Sequence, residues 1–212
     1  MKRRAWLAAA ALLATVAACG RKPVSVGQAL PRDSVVLALG DSLTFGSGAD
    51  PAAAYPARLA ALTGWNVVNG GVPGDTAAQA RERLPALLAE HHPALVIVSL
   101  GGNDFLRRVA TAETESALRR IAALARDAGA QVLLAAVPQP SLSAAIGAGL
   151  ADHPLYQRLA DELALPLHAG GWARVLGDER LKSDQIHANA EGYRVFAEGL
   201  AATLRERKLL TL

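Results

Sequence analysis

Cysteine is almost absent: the chain holds one, at position 19. No disulfide can close within one chain, so the fold has to rest on a packed core. Aromatic side chains are scarce too, with 3 each of Trp, Tyr and Phe among 212 residues. Alanine and leucine must do most of the filling, which suits many helices packed on a sheet. Neither a G-x-G-x-x-G turn nor a P-loop lysine occurs, which speaks against a nucleotide-binding module. No histidine–carboxylate cluster has metal-ligand spacing and no cysteine is spare, so neither a metal nor a cofactor is expected.

The first residues form a distinct segment. Lys2, Arg3 and Arg4 precede an apolar run from Trp6 to Ala18. A basic start and a run too short to span a bilayer comfortably read as an export signal. The run closes on Val16-Ala17-Ala18-Cys19, which resembles the lipobox of bacterial lipoproteins. That resemblance implies a leader at 1–18, a lipidated Cys19 as mature N-terminus, and attachment to the periplasmic face of a bacterial membrane. Gly20 and Arg21 follow without an aspartate, which resembles outer-membrane sorting in a Gram-negative host. A cleaved signal with an incidental cysteine is the plainer alternative. The leader carries three of the 22 basic residues and no acidic one, leaving 19 against 19. The basicity thus belongs to the leader, and no nucleic-acid partner is expected. Residues 19–33, with Pro23 and Pro31, read as a tether, and residues 34–212 as one domain.

Within that domain strands and helices alternate. Apolar runs of strand length occur at 35–39, 65–68, 94–100, 131–137 and 165–168. They do not alternate with polar residues, the pattern of parallel strands buried on both faces. Helical segments are predicted at 52–63, 76–90, 112–128, 153–164 and 189–207, with Thr76 as a cap, Gly129 as a stop and Pro85 as a possible kink. The alternation predicts a three-layer α/β/α sandwich with a five-stranded parallel sheet. Ligands bind such sheets beyond the carboxyl ends of the strands. Three polar, glycine-rich turns fall there, at 40–46, 69–76 and 101–104.

Each turn has a chemical and a plain reading. Ser42 stands on a glycine-flanked turn after a buried run, a placement suited to a nucleophile, which then needs a general base. Asp184-Gln185-Ile186-His187 offers one: a single turn lets the carboxylate reach the imidazole Nδ1. Alone, the pair reads as a turn cap and a surface histidine. Of the other histidines, His91 and His92 fall at the wrong sheet edge and His153 opens a helix. His168 ends the fifth strand on the correct edge and is the one rival. The 69–76 loop can aim a backbone N–H at an oxyanion, or merely connect. Asn103 can donate its amide there, or close an Asx-turn. Asp41 and Asp104 read as loop-ordering acceptors.

Taken together, Gly40-Asp41-Ser42-Leu43-Thr44-Phe45-Gly46, Asn69 to Thr76, Gly101-Gly102-Asn103-Asp104 and Asp184 to His187 resemble, in order, the four blocks of the GDSL, or SGNH, family of serine esterases and lipases. The similarity is greatest to its thioesterase I/lysophospholipase L1 and arylesterase branch. It implies a flavodoxin-like fold with strand order 2-1-3-4-5. It implies Ser42 as nucleophile, His187 as base and Asp184 as its orienter. The implied oxyanion hole comprises the Ser42 and Gly74 N–H groups and the Asn103 side chain. It implies an acyl ester or thioester substrate, with aryl esters and lysophospholipids included. Ala188 departs from the pattern, since many relatives have proline after the histidine. The same chemistry serves a polysaccharide O-deacetylase, and the scaffold also serves a non-catalytic binding lipoprotein that has lost part of its triad. Acyl selectivity is assigned to 138–150, a long, weakly charged segment whose Leu142, Ile146 and Leu150 are read as groove residues; a plain surface loop is the alternative.

Overall fold

The computed structural model describes residues 27–139 and 149–211, so Cys19, Leu142 and Ile146 lie outside the described residues. Five parallel strands form one sheet: β1 Val35–Gly40, β2 Asn66–Gly71, β3 Leu95–Ser99, β4 Gln131–Ala135 and β5 Leu167–His168. Their order is β2-β1-β3-β4-β5, as the family resemblance implied. Eight α-helices accompany them among the described residues: α1 Ser42–Phe45, α2 Tyr55–Thr63, α3 Ala77–His91, α4 Gly102–Leu106, α5 Thr111–Asp127, α6 Leu155–Leu163, α7 Gly171–Leu176 and α8 Ala190–Glu206. Helices α2, α7 and α8 pack together as one layer, and α3, α5 and α6 as the other. With both faces covered, every residue of β3 is buried, which is why its sequence is apolar from Leu95 to Val98.

Strand ends differ from the expected runs for local reasons. β2 continues to Gly71, three residues past its apolar run, because Asn69, Gly70 and Gly71 pair with Ala38, Leu39 and Gly40. A side chain at Gly71 would meet the Phe45 backbone nitrogen at 2.2 Å, so only glycine lets β2 pass α1. β5 is shorter than 165–168. The Leu165 N–H is spent closing α6 on Ala160, and Pro166 has no N–H to give. Pro85 leaves α3 unbroken because it sits on the solvent side, where water can serve the carbonyl left without a donor. Thr76 does cap α3, in a reciprocal capping box with Gln79, and Gly129 adopts φ +84° just past α5.

The few aromatic residues are concentrated. Tyr55, Trp172, Tyr193 and Phe196 form one buried cluster between α2, α7 and α8, with Trp172 and Phe196 stacked at 3.6 Å. Each ring removes roughly 200 Å² from water, about 5 kcal/mol as an upper bound. Trp172 also donates its indole N–H to Ser99 Oγ at 2.9 Å, tying α7 to the carboxyl end of β3. The chain does not enter as a free tether up to residue 33. Gly27 N–H bonds to the Arg207 carbonyl and Leu30 N–H to that of Leu209, so residues 27–33 already belong to the domain. They join it at the amino end of β1, away from Ser42.

Candidate active site

Three loops converge where β1, β2 and β3 end. Gly40 has no room for a side chain: a Cβ would meet Thr44 Oγ1 at 1.8 Å. The chain therefore turns sharply into α1, and Asp41 caps it by accepting the Leu43 N–H at 3.0 Å. Ser42 is the first residue of that single turn, half-buried at the mouth of a groove. α1 is only four residues long, and Gly46 ends it at φ +101°.

The loop between Lys182 and Ala190 brings His187 over Ser42. His187 Nε2 lies 3.0 Å from Ser42 Oγ, and His187 Nδ1 lies 2.8 Å from Asp184 Oδ2. The other carboxylate oxygen of Asp184 accepts the backbone N–H groups of Ile186 and His187, at 2.9 and 2.8 Å. The expected turn cap and the imidazole partner are thus the same carboxylate. Its hydrogen bond to His187, then that from Ile186, holds Asp184 below the ordinary carboxylate range. The Asp184 side chain is 54% exposed and that of His187 19% exposed, so the carboxylate faces water while the ring is largely covered. Ala188 is buried, its segment bridges Lys182, and its carbonyl accepts Ser183 Oγ at 3.2 Å. Asn189 then caps α8 on Glu191 and Gly192. These bonds hold the loop without a proline.

Asn103 stitches the three turns together. It lies in α4, not in an Asx-turn, and its Nδ2 donates to Asp41 Oδ2 at 3.3 Å and to the Asp75 carbonyl at 3.0 Å. Asp104 is buried beside it, accepting the Ala77 N–H that opens α3 at 2.9 Å and the Thr114 hydroxyl at 3.2 Å. Asp41 and Asp104 are therefore loop-ordering acceptors, as expected. Asp75 is clamped by Arg83, which also donates to the Gly40 carbonyl. Gly74 adopts φ +85°, and its carbonyl is held by Arg107 at 2.8 Å. Among the described residues no acceptor is bonded to the N–H of Ser42 or of Gly74.

Asp41 is 3% exposed, and burial pushes its carboxyl from 3.8 up to about 6, against the pull of the Leu43 N–H and His187. Between those two values the folded chain keeps a proton that the unfolded chain has released. On this account stability falls as pH rises toward 6, and the loss is complete above it.

The groove beside Ser42 encloses about 410 Å³. Leu106, Val137, Leu150, Leu176 and Ile186 supply its apolar wall, with Asp41, Ser42 and Asn103 at its polar end. Leu150, read from the sequence as a groove residue, lines this groove. Leu106 and Ile186 were missed, although both are large apolar residues next to a chemistry-bearing turn and both stay exposed. His168 takes no part: it is buried, with Nδ1 on Thr203 Oγ1 at 2.8 Å, and burial lowers its imidazole to about 4. His153 stacks on Phe105, and His91 and His92 end α3 at the far edge.

Chemically, this line of groups can carry a proton from a hydroxyl to an imidazole whose tautomer a carboxylate fixes, beside unpaired N–H donors and an apolar groove. Comparison with known proteins points the same way. The model of the GDSL-like Lipase/Acylhydrolase family matches residues 38–195. The thioesterase 1/protease 1/lysophospholipase L1 of Escherichia coli K12 is 36% identical over 175 residues, covering 80% of this chain and 83% of that protein. The arylesterase of Vibrio mimicus is 31% identical over 177 residues, covering 80% and 87%. The crystal structure of TesA superposes with a TM-score of 0.71 at 32% identity, covering 82% of this chain and 99% of the other.

Proposed function

This chain belongs to the GDSL-like lipase/acylhydrolase family and is an ester hydrolase; from that premise we propose how it works and what it cleaves. Ser42 Oγ attacks the acyl carbonyl while His187 Nε2 takes its proton. Asp184 keeps the Nδ1 proton in place and stabilises the imidazolium. The oxyanion is received by the N–H groups of Ser42 and Gly74 and by the Asn103 amide. His187 returns the proton to the leaving group, an acyl-enzyme remains on Ser42, and water resolves it with His187 again as base. The observation that carries this reading is the unbroken hydrogen-bond line from Asp184 through His187 to Ser42, ending at the groove.

The substrates are short- to medium-chain acyl esters, aryl esters, acyl thioesters or lysophospholipids, with the acyl chain lying along Leu106, Leu150 and Ile186. A panel of p-nitrophenyl esters of rising chain length, acyl-CoA and lysophosphatidylcholine tests this. Each methylene the groove buries contributes at most about 0.8 kcal/mol, or about fourfold in kcat/KM. Leu106→Ser with Leu150→Ser is therefore expected to flatten the chain-length profile and spare acetate. An equal fall for short and long esters would mean that these residues support the catalytic geometry and do not hold the acyl chain.

The anchor is part of the same proposal. Residues 1–18 are the leader, Cys19 carries the lipid, and the short segment up to residue 26 tethers the domain to a bacterial membrane. Two things support it: the lipobox-like Val16-Ala17-Ala18-Cys19, and the entry of residues 27–33 at the amino end of β1, the opposite end of that strand from Ser42. Cys19→Ser is expected to release the protein or leave it as uncleaved precursor. A free thiol in the intact mass of detergent-extracted protein would count against lipidation.

A further inference from the structure

An amide can donate to an oxyanion only if it presents nitrogen. Rotated by half a turn, the Asn103 side chain would offer its oxygen and repel the charge it is meant to receive. The two orientations have nearly the same shape, so packing alone does not choose between them. The choice falls to the hydrogen-bond partners.

Both partners of Asn103 Nδ2 are acceptors: Asp41 Oδ2 at 3.3 Å and the Asp75 carbonyl at 3.0 Å. The Asp75 carbonyl is backbone and cannot change. Asp41 is the side chain of the pair, 62 residues away in sequence and adjacent to Ser42. Its own place is fixed, because Oδ1 is spent on the Leu43 N–H at 3.0 Å, which leaves Oδ2 toward Asn103. It is buried, so no water shell can take over the choice. We propose that Asp41 is a positioning residue: its carboxylate sets the orientation of the Asn103 amide and so keeps nitrogen, rather than oxygen, at the oxyanion site; both N–H groups are engaged at rest, and one of them is shared with the oxyanion as its charge develops. The inference rests on Asn103 being an oxyanion donor, as proposed above.

Asp41→Asn is the informative change. The new side chain keeps an oxygen to cap Leu43 N–H and puts an amine where Oδ2 stood. A donor now faces a donor, and rotation of Asn103 relieves the conflict. Asp41→Ala removes the acceptor without supplying a donor, and loses the cap as well. The experiment measures kcat, KM and the affinity of an alkyl trifluoromethyl ketone, whose tetrahedral adduct on Ser42 carries an oxyanion. It covers the wild type, Asp41→Asn, Asp41→Ala, Asn103→Ala and each of the two Asp41 changes combined with Asn103→Ala, each checked for folding by its thermal transition.

Asp41→Asn is expected to lower kcat by about 10- to 100-fold, up to the full worth of one oxyanion donor. KM should stay within about twofold, and the ketone should weaken by a factor like that in kcat/KM. Asp41→Ala should lose less. In the Asn103→Ala background, Asp41→Asn should cost no more than about twofold, because there is no amide left to orient. Independent, multiplying losses in the double variant would overturn the proposal, and so would a loss carried by KM. Should Asp41→Asn not fold, the ketone affinities of Asp41→Ala and its double variant decide by the same rule. Failure of the underlying reading looks different: Asn103→Ala alone would then leave kcat unchanged, or lower it only in step with a lowered thermal transition.

Discussion

Ser42→Ala is expected to keep its fold and lose turnover by about four to six orders of magnitude. Only one hydroxyl is removed, at a half-buried position at the mouth of a groove, so no core cavity is created. Its one side-chain partner among the described residues is His187 Nε2, and Ser42 itself lines the groove, where water can replace the lost contact. Asp41 still caps α1 and the Asp184–His187 bond is untouched. Thermal stability should therefore change by less than about 1 kcal/mol. What disappears is the atom proposed to form the acyl-enzyme, and water held by the same base is a poor substitute. Residual activity should come from the oxyanion donors and substrate binding alone. A fluorophosphonate probe should label the wild type at Ser42 and leave the variant unlabelled. Persistent labelling of Ser42→Ala would remove Ser42 from the mechanism and move the search to another nucleophile.

Much of this arrangement was legible in the sequence because its determinants are local. The run Val35 to Leu39 followed by Gly-Asp-Ser signals a buried strand and a tight turn within a few residues. Asp184 and His187 are three apart, and the turn that joins them is closed by the same carboxylate that meets the imidazole. The capping box at Thr76 and Gln79 is local in the same sense.

What stayed hidden depends on contacts distant in sequence. No local signal tells that β2 runs on through two glycines, because Gly71 is required by Phe45 of another element. Short helices such as α7 have little periodicity to read, and α7 is fixed by Trp172 reaching Ser99 from 73 residues away. His168 stands on the correct edge, and only its burial among α7 and α8 excludes it: a side chain at Gly171 would meet its Nε2 at 2.2 Å. The groove wall is the same kind of case, since Val137, Leu176 and Ile186 come from three separate segments. Most of 138–150, the stretch that the sequence marks for selectivity, lies outside the described residues, and Leu150 at its end lines the groove.

Asn103→Ala is expected to lower kcat by about 10²- to 10³-fold, or about 2.7–4 kcal/mol, with a much smaller effect on KM. In the proposed role the amide is worth little to the ground-state carbonyl and much to the charge that develops on it, so its loss should appear in kcat. The side chain also joins the Asp41 carboxylate to the Asp75 carbonyl, and this structural part has to be separated from the chemical one. Each lost bond should cost about 1 kcal/mol of stability, softened because the groove admits water to the acceptors left behind. Asn103→Asp separates the two effects. It keeps the shape of the side chain and replaces the donor by an acceptor beside Asp41. If the amide acts on the oxyanion, the aspartate variant should be at least as slow as the alanine one at neutral pH, though it fills the same space. If Asn103 only holds the loops together, both variants should lose stability and activity in step, and partial restoration of stability should restore turnover. A raised KM with unchanged kcat in Asn103→Ala would instead make Asn103 a substrate-binding group and leave the oxyanion to the N–H groups of Ser42 and Gly74.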